Sequence, residues 1–435
     1  MPLHPVLIGH SEELYRHGDV HIVPDARRRH VGIFGATGAG KSSLMRNMIA
    51  SDIAEGLGVT VVDPHGQLCE DILENHIPRH RTNDVIYFNP KDQARALALN
   101  LLHCPRAEQR GLVVSNVIGI FKKLWADSFG PRMEDILRNG LFALIEQPRP
   151  VSILGLPKLL TDPAYRRGAL AEVRNPAVLD FFQNTFERWQ NAFREEAISP
   201  VLNKIRAFTT DPLLRAVIGQ ARSSFDFREA MDSRRIILCD LSKGSIGADN
   251  AALLGSLVVI QEKLAALSRG DVPEADRVPH LLYAEEAQNF IGDFESILAE
   301  TRKFKLAVTV ATQGVENLTR EAVAAVFTNC GTLISFRVSG TDAARLREEF
   351  TMLSPGAFIQ DLPDHQAYVR TLACKDGVCE PDDPQVIATY PPFRRAGDAE
   401  WRSKIVRASN ERYTKPRSEV DAEIARFLMR TEPEG

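Results

Sequence analysis

Residues Gly35-Ala36-Thr37-Gly38-Ala39-Gly40-Lys41-Ser42 have the composition and spacing of a loop that wraps a polyphosphate. Glycines let successive backbone N–H groups turn toward phosphate oxygens, and a helix opening at Lys41 adds the partial positive charge of its N-terminus. Lys41 would reach the β- and γ-phosphates of ATP and the Ser42 hydroxyl would ligate Mg²⁺, with Ser43 beside it in the same helical turn. A glycine-rich turn without a ligand is the alternative. It leaves the apolar run before the loop and the helical pattern after it unexplained.

Such a loop alone serves kinases, switch GTPases and motor ATPases. Far downstream, Leu281-Leu282-Tyr283-Ala284 ends in Glu285-Glu286, the layout of a strand that delivers carboxylates to a phosphate site. Glu285 would hold Mg²⁺, and Glu286 would polarise the attacking water as general base. The apolar run 306–312 ends in Gln313, whose amide would sense the γ-phosphate or orient water. Arg302 lies eleven positions before Gln313, and Arg337 sits near the end of the run 332–338. Arginine suits the charge of a transferring phosphoryl group and often comes from a neighbouring subunit. Taken alone, each reads as a surface residue. Asp63, after the run 59–62, reads two ways: as a residue beside the nucleotide or as the cap of the next helix.

These residues need strands and helices to bring them together. Short β-branched runs at 31–34, 59–63, 85–88, 235–241, 280–284, 306–312 and 332–338 alternate with helical stretches, which predicts an α/β fold with a mostly parallel sheet. Between the third and fourth runs lie some 145 residues with helical spacing instead, so an all-helical domain is expected inside the α/β core. Of the six cysteines, Cys69, Cys104, Cys239 and Cys330 read as small buried hydrophobes. Cys374 and Cys379 flank Asp376-Gly377, a hairpin-turn signal that sets them across a strand pair, and are expected to be reduced.

The 435 residues carry 53 Lys+Arg against 57 Asp+Glu, a net charge of −4 that excludes a basic nucleic-acid packaging protein and an acidic disordered tail. No uninterrupted apolar run reaches the ~18 residues of a membrane span, and no secretory leader is visible, so a cytoplasmic location without a membrane anchor is expected. Residues 394–417 hold eight Lys/Arg and three Asp/Glu, read as a solvated face.

Several stretches taken together resemble the HerA/FtsK superfamily of DNA-pumping ATPases, and within it the TraG/TraD-like coupling ATPases of conjugation and type IV secretion. They are HVGIFGATGAGKSSLMRNMI, VTVVDPHGQL, DVIYFNP, FGPRMEDILRNGLFAL, ILCDLSKGSIGADNAALLGS, EEAQNF, ETRKFKLAVTVATQGVENL and NCGTLISFRVSGTDA, in family order from about residue 30 to 350. The resemblance implies a RecA-like P-loop NTPase core with an inserted all-α domain. It places Lys41 and Ser42 on phosphate and Mg²⁺, Glu285 on the metal acid, Glu286 on the catalytic glutamate and Gln313 on the sensor. It makes Arg302 a finger reaching into the next subunit, Arg337 a second arginine of the same cluster, and Asp63 a neighbour of the nucleotide. Glu285 departs from the family, where aspartate is usual; the extra methylene shifts the carboxylate by about a bond length.

The expected organisation is an N-terminal segment (1–30), the first part of the motor core (31–102), the helical insertion (103–232), the second part of the core (233–391) and a charged tail with a helix (392–435). The expected function is an ATP-driven translocase that assembles as a homo-hexamer and threads DNA, single- or double-stranded and independent of sequence. Lys122, Lys123 and Arg132 are candidate DNA contacts, and a relaxase or secretion-channel protein would be a further partner. The competing reading is a nucleotide-gated assembly or docking module with little DNA-stimulated turnover. A small-molecule kinase does not explain Arg302 with Gln313, or the helical insertion.

Overall fold

The computed structural model describes residues 3–13, 16–290, 294–350, 359–375, 378–393 and 398–429. Its strands are β1 (Val6–Ser11), β2 (Gly18–Ile22), β3 (Val31–Phe34), β4 (Gly58–Asp63), β5 (Val85–Phe88), β6 (Arg95–Leu97), β7 (Ile236–Asp240) and β8 (His280–Ala284). They continue with β9 (Leu306–Thr312), β10 (Thr332–Ser335), β11 (Gln366–Arg370), β12 (Leu372–Lys375), β13 (Val378–Pro381), β14 (Gln385–Ala388) and β15 (Thr414–Pro416). Eleven of them form one sheet in the order β2-β1-β14-β11-β10-β3-β9-β8-β4-β7-β5. From β10 to β5 the strands are parallel, and every residue in those seven is buried. Burial on both faces is what a parallel sheet demands, and it explains why these strands read as continuous apolar runs. A mostly parallel sheet flanked by helices is the RecA-like architecture expected.

The chain divides into two compact units: Met1–Phe88, Asp226–Gly244 and Leu254–Ser409 form the first, and Asn89–Phe225, Ser245–Leu253 and Asn410–Gly435 the second. The helical unit therefore begins at residue 89, because Arg95–Leu97 pairs with β15 rather than with the large sheet. Residues 1–30 are not a separate segment, since β1 and β2 extend the sheet through antiparallel pairing to β14. The C-terminal segment also differs from a solvated tail. Ile405, on the helix Ala399–Tyr413, is fully buried in the α/β core with Trp401 and Val406 packed beside it. Val420 and Ile424, on the helix Arg417–Met429, pack with Ala96, Leu154 and Ala216 of the helical unit.

Among the described residues one helical stretch, Ala248–Asp271, is long and apolar enough by composition to cross a membrane, yet 89% of its most apolar window is buried inside the protein. Two of its buried polar side chains have partners there. Glu262 Oε1 accepts from Thr60 Oγ1 at 2.5 Å, and Lys263 Nζ donates to Ser296 Oγ at 2.7 Å. A paired polar group is tolerated in a protein core, and the stretch is a core helix.

Cys69, Cys239 and Cys330 are buried as expected, while Cys104 is only half-buried. Cys374 and Cys379 are directly opposed in the β12–β13 hairpin and joined by a disulfide, which corrects the expectation of reduced thiols. The turn Asp376-Gly377 lies outside the described residues.

Candidate nucleotide site

The loop from Gly35 to Gly40 leaves the C-terminal end of β3 and opens the helix Lys41–Ala54, anchored by Leu44, Met45, Met48 and Ile49 in the core. Gly38 and Gly40 have φ of 82° and 125°, where a side chain would be strained. At Gly40 a Cβ would also stand 2.8 Å from Phe336 Cε1. Two hydrogen bonds brace the loop from outside, Ala36 N to Arg337 O at 2.7 Å and His365 N to Ala39 O at 2.9 Å. Thr37 and Gly38 are exposed at the tip. Lys41 arches back over the loop, its ammonium 2.5 Å from Gly35 O and 3.0 Å from Ala36 O. Burial lowers its pKa, against the pull of Glu285 and Glu286.

Sheet order decides what faces this loop. β9 lies between β3 and β8, so the end of β9 delivers Gln313 between the P-loop and the acid pair that follows β8. The Ser42 hydroxyl donates to Glu285 Oε1, so the longer glutamate still reaches the helix N-terminus. Burial and the charge of nearby Asp63 push the Glu285 carboxyl above its ordinary range, against the Ser42 hydrogen bond. A hydroxyl beside a carboxylate whose charge is poorly compensated is a donor set that suits a hard cation such as Mg²⁺. Ser42 and Glu285 therefore fit the metal.

Glu286 has φ 46° and ψ 52°, a left-handed conformation that costs a side-chain-bearing residue roughly 1–2 kcal/mol. Gln313 Nε2 donates to its Oε1, and His65 Nε2 stands 3.4 Å from the same oxygen. Lys243 Nζ is 3.4 Å and Asn289 Nδ2 3.3 Å from Oε2. Burial alone would raise the Glu286 pKa, but the Gln313 hydrogen bond, His65 and Lys243 together hold it below the ordinary carboxylate range.

Asp63 caps the segment that follows β4, and its charge also lies near Glu285. Its Oδ1 accepts from His65 N at 2.8 Å and its Oδ2 from Cys69 N at 3.0 Å. Arg337 flanks the P-loop through its carbonyl, while its guanidinium pairs with Asp364 Oδ1 at 2.8 Å. Ser43 shares the first helical turn with Ser42. Arg302 is not brought to this site. It precedes the first residue of β9, about 20 Å of strand from Gln313. His65, Lys243 and Asn289 lie within the stretches VTVVDPHGQL, ILCDLSKGSIGADNAALLGS and EEAQNF, which assign them no role; each follows closely on the C-terminal end of a parallel strand, where such sheets bind ligands.

Residues 19–110 match the family described as the central domain of helicase HerA, DUF87. Among solved structures, the plasmid coupling protein TrwB in complex with a non-hydrolysable ATP analogue superposes with a TM-score of 0.57 at 18% identity, over 91% of this chain and 97% of that one. An unbound form of the bacterial conjugative coupling protein TrwBdeltaN70 gives 0.56 at 16% identity, over 87% and 89%. The fold is the RecA-like P-loop NTPase fold of TrwB. TrwB in complex with ADP and Mg²⁺ matches it with a TM-score of 0.56 at 18% identity, over 86% of this chain and 88% of that one. No curated protein matches the chain by sequence.

Proposed function

We propose that the protein hydrolyses ATP with Mg²⁺ and, as a homo-hexameric ring, uses the cycle to move DNA. The observation that carries this reading is the convergence on one P-loop of Ser42 with Glu285 and of Glu286 with Gln313, each pair in hydrogen-bond contact. Backbone N–H groups of residues 36–42 and the Lys41 ammonium would bind the phosphates, Lys41 exchanging its carbonyl partners for them. Ser42 and Glu285 would hold Mg²⁺, which would supply charge neutralisation to the phosphates. Gln313 would orient the attacking water, and Glu286 would accept its proton. Arg302, exposed and remote from its own P-loop, would complete the site of a neighbouring subunit, with Arg337 beside the loop as the second arginine.

DNA handling rests on the likeness to a conjugative coupling protein and on exposed cations of the helical unit, Lys122, Lys123 and Arg132. Such contacts read phosphates rather than bases, so binding would be salt-sensitive and independent of sequence. The crowd of donors around Glu286 favours a second reading, a nucleotide-gated docking module for a relaxase or channel protein. A titration of ATP turnover with single- and double-stranded DNA at low salt separates them. Turnover should rise with DNA. A flat response from a protein that hydrolyses ATP would sink the translocase reading in favour of the module.

A further inference from the structure

The Glu286 carboxylate is surrounded on both oxygens. Gln313 and His65 face Oε1, while Lys243 and Asn289 face Oε2. A carboxylate has about four lone-pair sites in all. With four donors around it, this one has little lone-pair capacity left to take a proton from water. A general base needs a lone pair turned toward that water.

The donors also arrive on a shared support. Lys243 N donates to Pro64 O at 2.9 Å and Leu241 N to Asp63 O at 2.9 Å, which ties the loop after β7 to the loop after β4. Asp240 lies against both loops: Ser242 N donates to its Oδ1 at 3.4 Å, and the same oxygen stands so close to Gly66 that a Cβ there would meet it at 2.4 Å. Tyr87 donates to Asp240 Oδ2 at 3.0 Å. Lys243 and His65 are thus presented to Glu286 together by a braced pair of loops, and their contacts at 3.4 Å are ones a small rotation of the glutamate would break.

The geometry points to Lys243 and His65 as positioning residues that hold Glu286 in a resting state, from which it must withdraw before it can serve as base. This inference rests on the proposed ATP hydrolysis and adds its regulation. Removing a group that favours the resting state raises kcat while leaving the phosphate contacts, and so KM, nearly unchanged. Removing a merely structural group lowers kcat or destabilises the site.

The test is steady-state ATP turnover without DNA. Lys243→Ala should raise kcat about threefold or more with KM within about twofold of wild type, and His65→Ala with Lys243→Ala should raise it further. Lys243→Arg, which keeps a cation at the position, should remove at least half of the increase. A kcat at or below wild type in Lys243→Ala, with an unchanged thermal melt, overturns the inference. A crystal structure with a non-hydrolysable ATP analogue and Mg²⁺ decides the matter independently of turnover. Glu286 Oε2 should then lie beyond 4 Å from Lys243 Nζ, and a contact that persists overturns the resting state. If no variant hydrolyses ATP at all, the hydrolysis reading fails, and the analogue-bound structure still tests the positioning.

Discussion

The two ends of the parallel sheet carry opposite kinds of charge. At the C-terminal ends of β3, β4, β7, β8 and β9, the carboxylates Asp63, Glu285 and Glu286 meet hydroxyl, amide, imidazole and ammonium partners. At the N-terminal ends, Arg28 and Arg29 precede β3, and Arg302 and Lys305 precede the adjacent β9. Burial lowers the Arg302 pKa, the repulsion of Arg29 and Arg28 lowers it further, and Asp25 and Glu274 offset part of this. An exposed guanidinium whose neighbours are mostly cations is stabilised by a further anion brought from outside, such as a phosphate. On the proposed reading each end supplies what the other lacks, which only neighbouring copies of the chain can use.

The comparison breaks first at Arg302. Arg302→Ala should lower ATP turnover about a thousandfold while nucleotide binding stays near wild type. Lys41→Ala should lose binding and turnover together. Mixed rings of the two variants should regain part of the activity, because some interfaces then pair an intact P-loop with an intact arginine. Mixtures that gain nothing over either variant alone would return Arg302 to an ordinary surface role.

A smaller effect belongs to His30, buried at the cationic end with φ 62°. Its Nε2 meets Leu298 O at 3.0 Å, and Val308 N donates to its Nδ1 at 3.0 Å, a neutral ring used as both donor and acceptor. Burial, despite the Leu298 hydrogen bond, lowers its pKa to about 4. The unfolded chain takes up this proton near 6.5 and the folded one near 4, so the unfolded state binds more protons between those values and stability falls as pH falls through that window. The loss from this one group is about 3 kcal/mol by pH 4. Denaturant melts at pH 7 and 4.5 should show a steeper loss in the native protein than in His30→Asn, a residue that tolerates the left-handed backbone. Equal slopes would remove His30 from the acid response.

The parallel strands and the motif residues were legible in the sequence because their signals are local. Strands buried on both faces are unbroken apolar runs, and the P-loop and the acid pair are contiguous. β1, β2, β11 and β14 were missed because each mixes polar residues with apolar ones and finds its partner through tertiary pairing. His65, Lys243 and Asn289 reach Glu286 from separate strand ends, and no spacing along the chain connects them. The charge of residues 394–417 hid Trp401 and Ile405, whose helix is held by Arg402 against Glu70 at 2.6 Å.

The smallest predicted effect tests whether the cationic end extends into the β12–β13 hairpin. Leu372 opens that hairpin, and a Cβ on Gly331 would meet Leu372 Cδ1 at 2.7 Å and Arg29 Cβ at 2.8 Å, so the hairpin borders the arginines. The disulfide closes a loop with a sequence separation of only 5, which restrains the unfolded chain by about 2 kcal/mol in the chain-entropy account. Replacing both cysteines by serine should therefore lower the melting temperature by about 5 °C or less, and leave ATP turnover within about twofold. An unchanged melt would show that the bond adds nothing to stability. A tenfold fall in turnover with nucleotide binding intact would instead show that the hairpin sets the position of Arg29 and, through it, of Arg302, making the cationic end a built surface rather than a group of neighbouring side chains.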